Sequence, residues 1–256
     1  MSSHAILVEE KDNIATIVLN RPNVMNAMNQ EMIRGLYDAV NEIARDDSIH
    51  VLVLRGAGDH FSSGADANLF SIDISPCDWL AAMKEIGQIV KTLRAMPQPI
   101  VTMLKGVAVG AGANLALAGD FVIAADSARF CEIFVNIGLI LDYGGNYFLP
   151  RLVGLKKARE LAMLGDEIDG ITAASIGLVY KSVPEDQLEQ EAVCLAGILA
   201  QKPRFALRFI KEGLENSFDM SLKEVLDWEA AYQSIALQTA EHKEIVRLFL
   251  EAKGKK

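Results

Sequence analysis

Four short apolar runs, at residues 15–19, 51–54, 100–104 and 121–125, limit what this chain can fold into more than any other feature. Each reads as a β-strand, and none has the polar alternation of a strand with one wet face. Such strands need cover on both faces. The sequence supplies it, because residues 30–44, 79–93 and 110–117 place apolar side chains at helical spacing between them. Strand and helix in alternation predict an α/β core. After about Tyr143 the strand signal fades, and residues 155–164, 187–200, 204–214 and 222–236 carry helical periodicity. Pro97 and Pro99 bracket the entry to the 100–104 strand and Pro203 separates two helices, ordinary places for a helix breaker. There is no Gly/Ser-rich or Pro-rich linker. The expected division is a core over residues 1–200 and a helical region over 201–256, with residues 253–256 as a frayed terminus.

At 256 residues and 51% hydrophobic side chains, the chain can bury a substantial interior. A net charge of −9, with no long run of Lys and Arg, argues against a nucleic-acid surface, which needs clustered cations facing phosphates. A small anionic ligand is still compatible, because backbone N–H groups and a few Lys can hold one locally. Cys77, Cys131 and Cys194 are widely spaced, with no CxxC and no adjacent His run, so neither a disulfide framework nor a zinc site is expected. Free thiols fit a reducing, cytoplasmic setting. No basic and apolar leader occupies residues 1–10, and the most apolar stretch, 106–119, falls short of the roughly 20 residues a membrane helix needs.

Three segments could carry chemistry. Lys105-Gly-Val-Ala-Val-Gly110-Ala-Gly112-Ala-Asn114 leaves a strand and opens a helix, a junction that aims unpaired N–H groups forward. It contains neither GxGxxG nor GxxxxGK[ST], which excludes Rossmann and P-loop nucleotide cradles. Close helix packing alone would also account for its glycines. His60-Phe-Ser-Ser-Gly64-Ala65-Asp66 is a small-residue turn after a strand, in which Asp66 could simply be a helix N-cap. Ile137-Gly138-Leu-Ile-Leu-Asp142-Tyr-Gly144-Gly145 sets one acid among apolar residues, where a helix N-cap is again the plain alternative. His4, His50, His60 and His242 are scattered and no GxSxG occurs, which argues against a serine hydrolase.

In this order and spacing the segments resemble the crotonase superfamily, also called the enoyl-CoA hydratase/isomerase family. Leu19-Asn20-Arg21-Pro22 with Asn26-Ala27 is similar to the family's opening LNRP…NA, and residues 61–66 to its FxxGAD. Gln98-Pro99-Ile100, Gly106, Gly110-Ala-Gly112 and Leu117-Ala-Gly-Asp120 are similar to its central strand and oxyanion turn. Leu149-Pro150-Arg151-Leu-Val-Gly154 and Ala173-Ala174-Ser-Ile-Gly177-Leu178-Val179 extend the likeness, which covers roughly residues 5–250. The resemblance implies a spiral of ββα units with a C-terminal helical trimerisation region. It implies coenzyme A thioesters as substrates, with no cofactor besides and no metal. A homotrimer or dimer of trimers is implied, with residues 222–250 at subunit contacts. Backbone N–H groups, carried over to Ala65 and Ala111, would bind the thioester oxygen, where charge collects when an α proton leaves. Ser63, Asp66, Ala67 and Gly138 would line the substrate path. Met25, Phe249 and Lys253 would contact coenzyme A, Phe249-Leu-Glu251-Ala-Lys253 being similar to part of the family's FxEKR tail.

Departures from the hydratase pattern bear on the reaction. Hydratases of the family use two glutamates to place and activate water; here those positions fall on Asn114 and Phe134, neither of which exchanges a proton at neutral pH. Asn114 could still orient a ligand, and Phe134 would dry the site for a flat or apolar acyl group. Asp142 supplies an acid elsewhere. The Leu141-Asp142-x-Gly144-Gly145 run resembles the isomerase branch, including enzymes acting on ring-containing acyl-CoA intermediates of phenylacetate degradation. One carboxylate can take a proton from the α carbon and return it to the γ carbon, and apolar Phe134, Ile140 and Leu141 are expected to raise its pKa by desolvation. The expectation is an acyl-CoA isomerase with Asp142 as base. An enoyl-CoA hydratase, an aryl-CoA dehalogenase with Asp142 as nucleophile, and a non-catalytic acyl-CoA binding protein stay open at this point.

Overall fold

The computed structural model describes residues 5–71 and 73–254. In chain order its strands are β1 (Ile6–Lys11), β2 (Ile14–Leu19), β3 (Val51–Gly56), β4 (Ile100–Leu104), β5 (Val107–Val109), β6 (Phe121–Ala125), β7 (Arg129–Cys131), β8 (Glu167–Asp169) and β9 (Lys181–Val183). They form a larger sheet of order β1-β2-β3-β4-β6-β9 and a smaller one of order β5-β7-β8. Within the larger sheet β1 pairs antiparallel with β2, and every other pair is parallel. β4 lies beside β6 in one sheet while their successors β5 and β7 lie side by side in the other. These two turns of chain each lay a strand into both sheets, and the path advances as the expected spiral of ββα units.

The helices are α1 (Gln30–Arg45), α2 (Pro76–Ala95), α3 (Ala111–Leu117), α4 (Gly145–Leu164), α5 (Gly170–Ser175), α6 (Leu188–Ala200), α7 (Arg204–Asn216), α8 (Leu222–Ala236) and α9 (Ala240–Gly254). α1 starts where the Asn29 side chain accepts from Met32 N, and it buries Met32, Leu36, Ala39, Val40 and Ile43 at helical spacing. Those side chains pack toward β1 and β2, and α6 covers β2, β3, β4 and β6 with Leu188, Ala192, Ala196 and Leu199. Each fully buried Leu of this kind contributes about 1.5–3 kcal/mol. The interior strands are therefore dry, as their composition requires.

The tail is tied to the core by charge as well as packing. Lys211 on α7 reaches Asp120 Oδ2 at 2.8 Å and the carbonyls of Leu93 and Gln98 at 3.2 and 3.0 Å. Arg94 bridges Asp120 and Glu215. Because Lys211 is nearly enclosed, removing Asp120 alone would leave a buried cation, a loss of about 3–5 kcal/mol. By contrast, α7 and α8 bury none of their apolar residues fully within the chain. Between them runs an apolar groove of about 540 Å³ lined by Phe205, Phe209, Leu214, Trp228 and Tyr232, with the Phe209 and Tyr232 rings stacked at 4.2 Å.

Some elements differ from the sequence reading. β1 is an edge strand with only Ile6 buried, and its apolar start Ile6-Leu7-Val8 runs straight into Glu9-Glu10-Lys11, too short a run to mark a strand. β5, β7, β8 and β9 have three residues each, too few for a period. α4 is two helical stretches that meet at a kink, where Gly154 (φ 71°, ψ 160°) leaves the helical region: residues 155–164 form the second, where the spacing places a helix, and residues 145–153, which hold Pro150, form the first, which the spacing does not reveal. Lys253 is helical rather than frayed, since α9 extends to Gly254, while residues 255 and 256 lie outside the described residues. Among the described residues no helix is long and apolar enough to cross a membrane.

Candidate active site

Two turns of the spiral meet at the site. The loop after β3 is anchored by Phe61, fully buried, and by Asn26, whose amide donates to the carbonyls of Ala57 and His60 at 2.9 and 2.7 Å. Ser62 is locked next: its N–H donates to Val107 O and its carbonyl accepts from Val109 N, both at 3.0 Å, while its hydroxyl donates to Asn26 O at 2.9 Å. Beyond it Met28 N donates to Gly64 O at 2.8 Å and Asp66 N to Met28 O at 3.1 Å, a parallel bridge around Ala65. In that pattern the neighbours of Ala65 face Met28 and the Ala65 N–H points the other way. No acceptor takes it among the described residues.

The second donor comes from a helix start. Ala111 is the first residue of α3, where N–H groups have no intrahelical acceptor. Gly110 before it has φ 54° and ψ −120°, a conformation open essentially to glycine, and a Cβ there would press on Ile133 Cγ2 at 3.3 Å. Gly64 brings the two turns together. A Cβ on it would lie 2.6 Å from Val109 O and 3.5 Å from Ala111 N, so only a bare α carbon lets the Ala65 and Ala111 donors share one place.

These donors open into a cavity of about 520 Å³. Ser63, Gly64 and Ala65 form one side and Val109, Gly110 and Ala111 another. The rest of the wall is apolar: Phe70 from the turn before α2, Trp79, Met83 and Ile86 from α2, and Ile133, Phe134, Ile137 and Leu139 from the turn after β7. Among the described residues Asp142 is the one carboxyl lining this cavity. Burial pushes its pKa from the ordinary 3.8 up to about 6, and its Oδ1 has no protein partner. Tyr143 beside it also lines the cavity, at a left-handed φ of 45°, with its hydroxyl buried and unpartnered. Burial and the neighbouring Asp142 charge both push the Tyr143 phenol upward.

Behind this wall sit two more polar side chains. Asn114 is fully buried and donates from Nδ2 to Glu132 Oε2 at 3.2 Å. Burial, opposed by that hydrogen bond and reinforced by the Asp142 charge, pushes the Glu132 pKa from 4.5 up to about 8. Among the described residues no group of three His, Cys, Asp or Glu is arranged to hold a metal ion.

The expected residues thus divide. Ala65, Ala111, Ser63, Phe134 and Asp142 meet at the cavity. Asp66 does not, because its carboxylate is held by Arg21 at 2.8 Å and caps Asn68, which keeps its pKa low. Ala67 is exposed at the start of the following turn, and Gly138 is the exposed, left-handed end of the turn Ile133–Ile137. Asn114 lies behind the wall rather than in it. Ile140 is 83% exposed and cannot desolvate Asp142; Phe134, Leu139 and Tyr143 line that part of the cavity instead. Met25 and Phe249 are exposed outside the cavity, and Lys253 Nζ sits 4.5 Å over the Phe249 ring. Sequence reasoning missed Tyr143, Glu132 and the α2 wall. The signal was available for α2, whose Trp79, Met83 and Ile86 fall on one helical face, and for Glu132, a single acid inside the apolar run 130–135.

Residues 9–256 match the enoyl-CoA hydratase/isomerase family. Among similar proteins is the 1,2-epoxyphenylacetyl-CoA isomerase of Escherichia coli K12, 37% identical over 96% of this chain and 95% of its own length. The crotonyl-CoA hydratase of Syntrophomonas wolfei is 32% identical over 98% of this chain and 96% of its own. The crystal structure of an enoyl-CoA hydratase from Bacillus anthracis superposes with a TM-score of 0.92 at 29% identity, covering 97% and 96% of the two chains.

Proposed function

Because the chain belongs to the enoyl-CoA hydratase/isomerase family, we propose that it is an acyl-CoA isomerase, one that shifts a double bond or rearranges a ring-containing acyl group through a thioester enolate. The observation that carries this reading is that, among the described residues, a single carboxyl, Asp142, shares an apolar cavity with two unpaired backbone donors. The Ala65 and Ala111 N–H groups bind the thioester oxygen. Asp142 takes the α proton, and the electron pair of the broken C–H bond moves onto that oxygen, where fixed donors stabilise it. The β,γ double bond becomes α,β as the Asp142 carboxyl returns the proton to the γ carbon. A pKa of about 6 suits both halves of this exchange, because the group is ionised at neutral pH yet still basic. Addition of water by two acids has less support, since Asn114 and Phe134 occupy the places of the hydratase glutamates and no second carboxyl lines the cavity among the described residues.

Phe70, Trp79 and Phe134 suit a flat acyl group, and the ring-substrate name of the Escherichia coli relative favours the same class. A panel of 3-enoyl and ring-containing acyl-CoA thioesters tests the assignment. Isomerisation is expected to exceed hydration of crotonyl-CoA, with kcat/KM rising with pH through about 6 as Asp142 ionises. Efficient crotonyl-CoA hydration, with no 3-enoyl thioester isomerised, would overturn it.

The same reading includes a homotrimer or dimer of trimers. It is supported by the open groove between α7 and α8 and by Ile245, Leu248 and Phe249, all exposed on α9. Sedimentation at micromolar concentration is expected to give three or six subunits; a stable monomer would contradict it.

A further inference from the structure

Glu132 follows β7 and is 1% exposed, yet its one hydrogen-bond partner among the described residues is the neutral Asn114 amide. Arg129, the nearest cation along the strand, is committed to Glu167. The titratable groups that bear on Glu132 are Asp142, on the turn before α4, and Cys131, on its own strand; neither brings a positive charge. Two atoms of the pair are buried without partners, Glu132 Oε1 and Asn114 Oδ1. A bare carboxylate in this position would be strongly disfavoured. One proton answers both vacancies: protonated on Oε1, Glu132 becomes a donor, and Asn114 Oδ1 is the acceptor that lacks one.

The pair is placed where it matters. Asn114 stands one turn beyond Ala111 on α3, and Gly145 packs on its amide so closely that a Cβ there would lie 2.5 Å from Nδ2. The Gly145 N–H in turn donates to the Asp142 carbonyl at 2.9 Å. Asn114 therefore joins the oxyanion helix to the turn that carries the base. We propose that Glu132 is a positioning residue that works as the neutral acid, clamping Asn114 between the oxyanion helix and the Asp142 turn, and that its ionisation halts proton abstraction. Loss of the Glu132 proton removes the half of the clamp that Oε1 donates, leaves Asn114 Nδ2 to Oε2 as its one remaining bond, and sets a negative charge behind the cavity in which the enolate gathers its own. The inference rests on the proposed isomerase reading for the reaction followed, but the protonation of Glu132 can be measured apart from it.

In wild type, kcat/KM is expected to fall about tenfold per pH unit once the pH exceeds about 8. Glu132→Gln, a permanent stand-in for the neutral acid, keeps activity near wild type at neutral pH and loses the alkaline fall. An alkaline fall that persists in a folded Glu132→Gln protein, or a neutral-pH rate that collapses in it, would overturn the proposal. Infrared titration gives the independent reading. A protonated carboxyl band is expected at neutral pH that survives in Asp142→Asn and titrates near pH 8. Its absence there overturns the proposal even if Glu132→Gln does not fold, and whatever Asp142 proves to do in turnover.

Discussion

Asp142→Asn is expected to slow isomerisation by ~10²–10⁴, the usual contribution of a positioned acid or base, while thioester affinity changes little. The substitution keeps the size of the side chain and much of its hydrogen bonding. It removes only the capacity to take up a proton. Unfolding would not explain the loss, and linkage says why. The Asp142 pKa is raised on folding from 3.8 to about 6, so the native state loses stability as pH rises through that window. An amide escapes this cost, and the variant should be at least as stable as wild type above pH 6. Substrate held normally, with chemistry slowed, is the signature of an interaction made in the transition state.

Ala111→Pro is expected to lower kcat by ~10²–10³, about 2.7–4 kcal/mol, the cost of one lost oxyanion donor. Proline is well tolerated at the first position of a helix, where the missing N–H had no intrahelical acceptor. The risk lies one residue earlier, because the proline ring crowds the residue before it and Gly110 already holds a special conformation. Circular dichroism and sedimentation must therefore match wild type before the rate is read. Ala111→Gly keeps the donor and should retain most activity. A folded Ala111→Pro protein with full activity would remove Ala111 from the oxyanion site.

The parts of this molecule that were legible in the sequence are those with a repeating physical signal. Residues 100–104 and 121–125 coincide with β4 and β6, because interior parallel strands are apolar on both faces. Residues 222–236 coincide with α8. The two turns that present the Ala65 and Ala111 N–H groups were readable because Gly64 and Gly110 are needed for backbone approach, which leaves a motif. What escaped depends on distance between turns of the spiral. Asp66 sits inside the FxxGAD motif, yet Arg21 and Asn68 occupy its carboxylate, so the motif position is structural rather than ligand-facing. Asn114 and Phe134 lie in adjacent turns, but only the fold reveals that Phe134 faces the cavity and Asn114 faces Glu132. Ile140 and Leu141 are neighbours in an apolar run, and the turn before α4 sends one to solvent and the other against the core. No local pattern carries that difference.

The central claim is that Asp142 removes the α proton of a thioester held by Ala65 and Ala111, and proton exchange isolates that step from double-bond movement. A saturated acyl-CoA thioester is incubated with enzyme in deuterated water, and deuterium at the α carbon is followed by mass or magnetic resonance. Wild type is expected to exchange the α proton, and Asp142→Asn to bind the same thioester with little change in affinity and exchange it ~10²–10⁴ more slowly. Exchange at the wild-type rate in Asp142→Asn would contradict the assignment of Asp142 as the base.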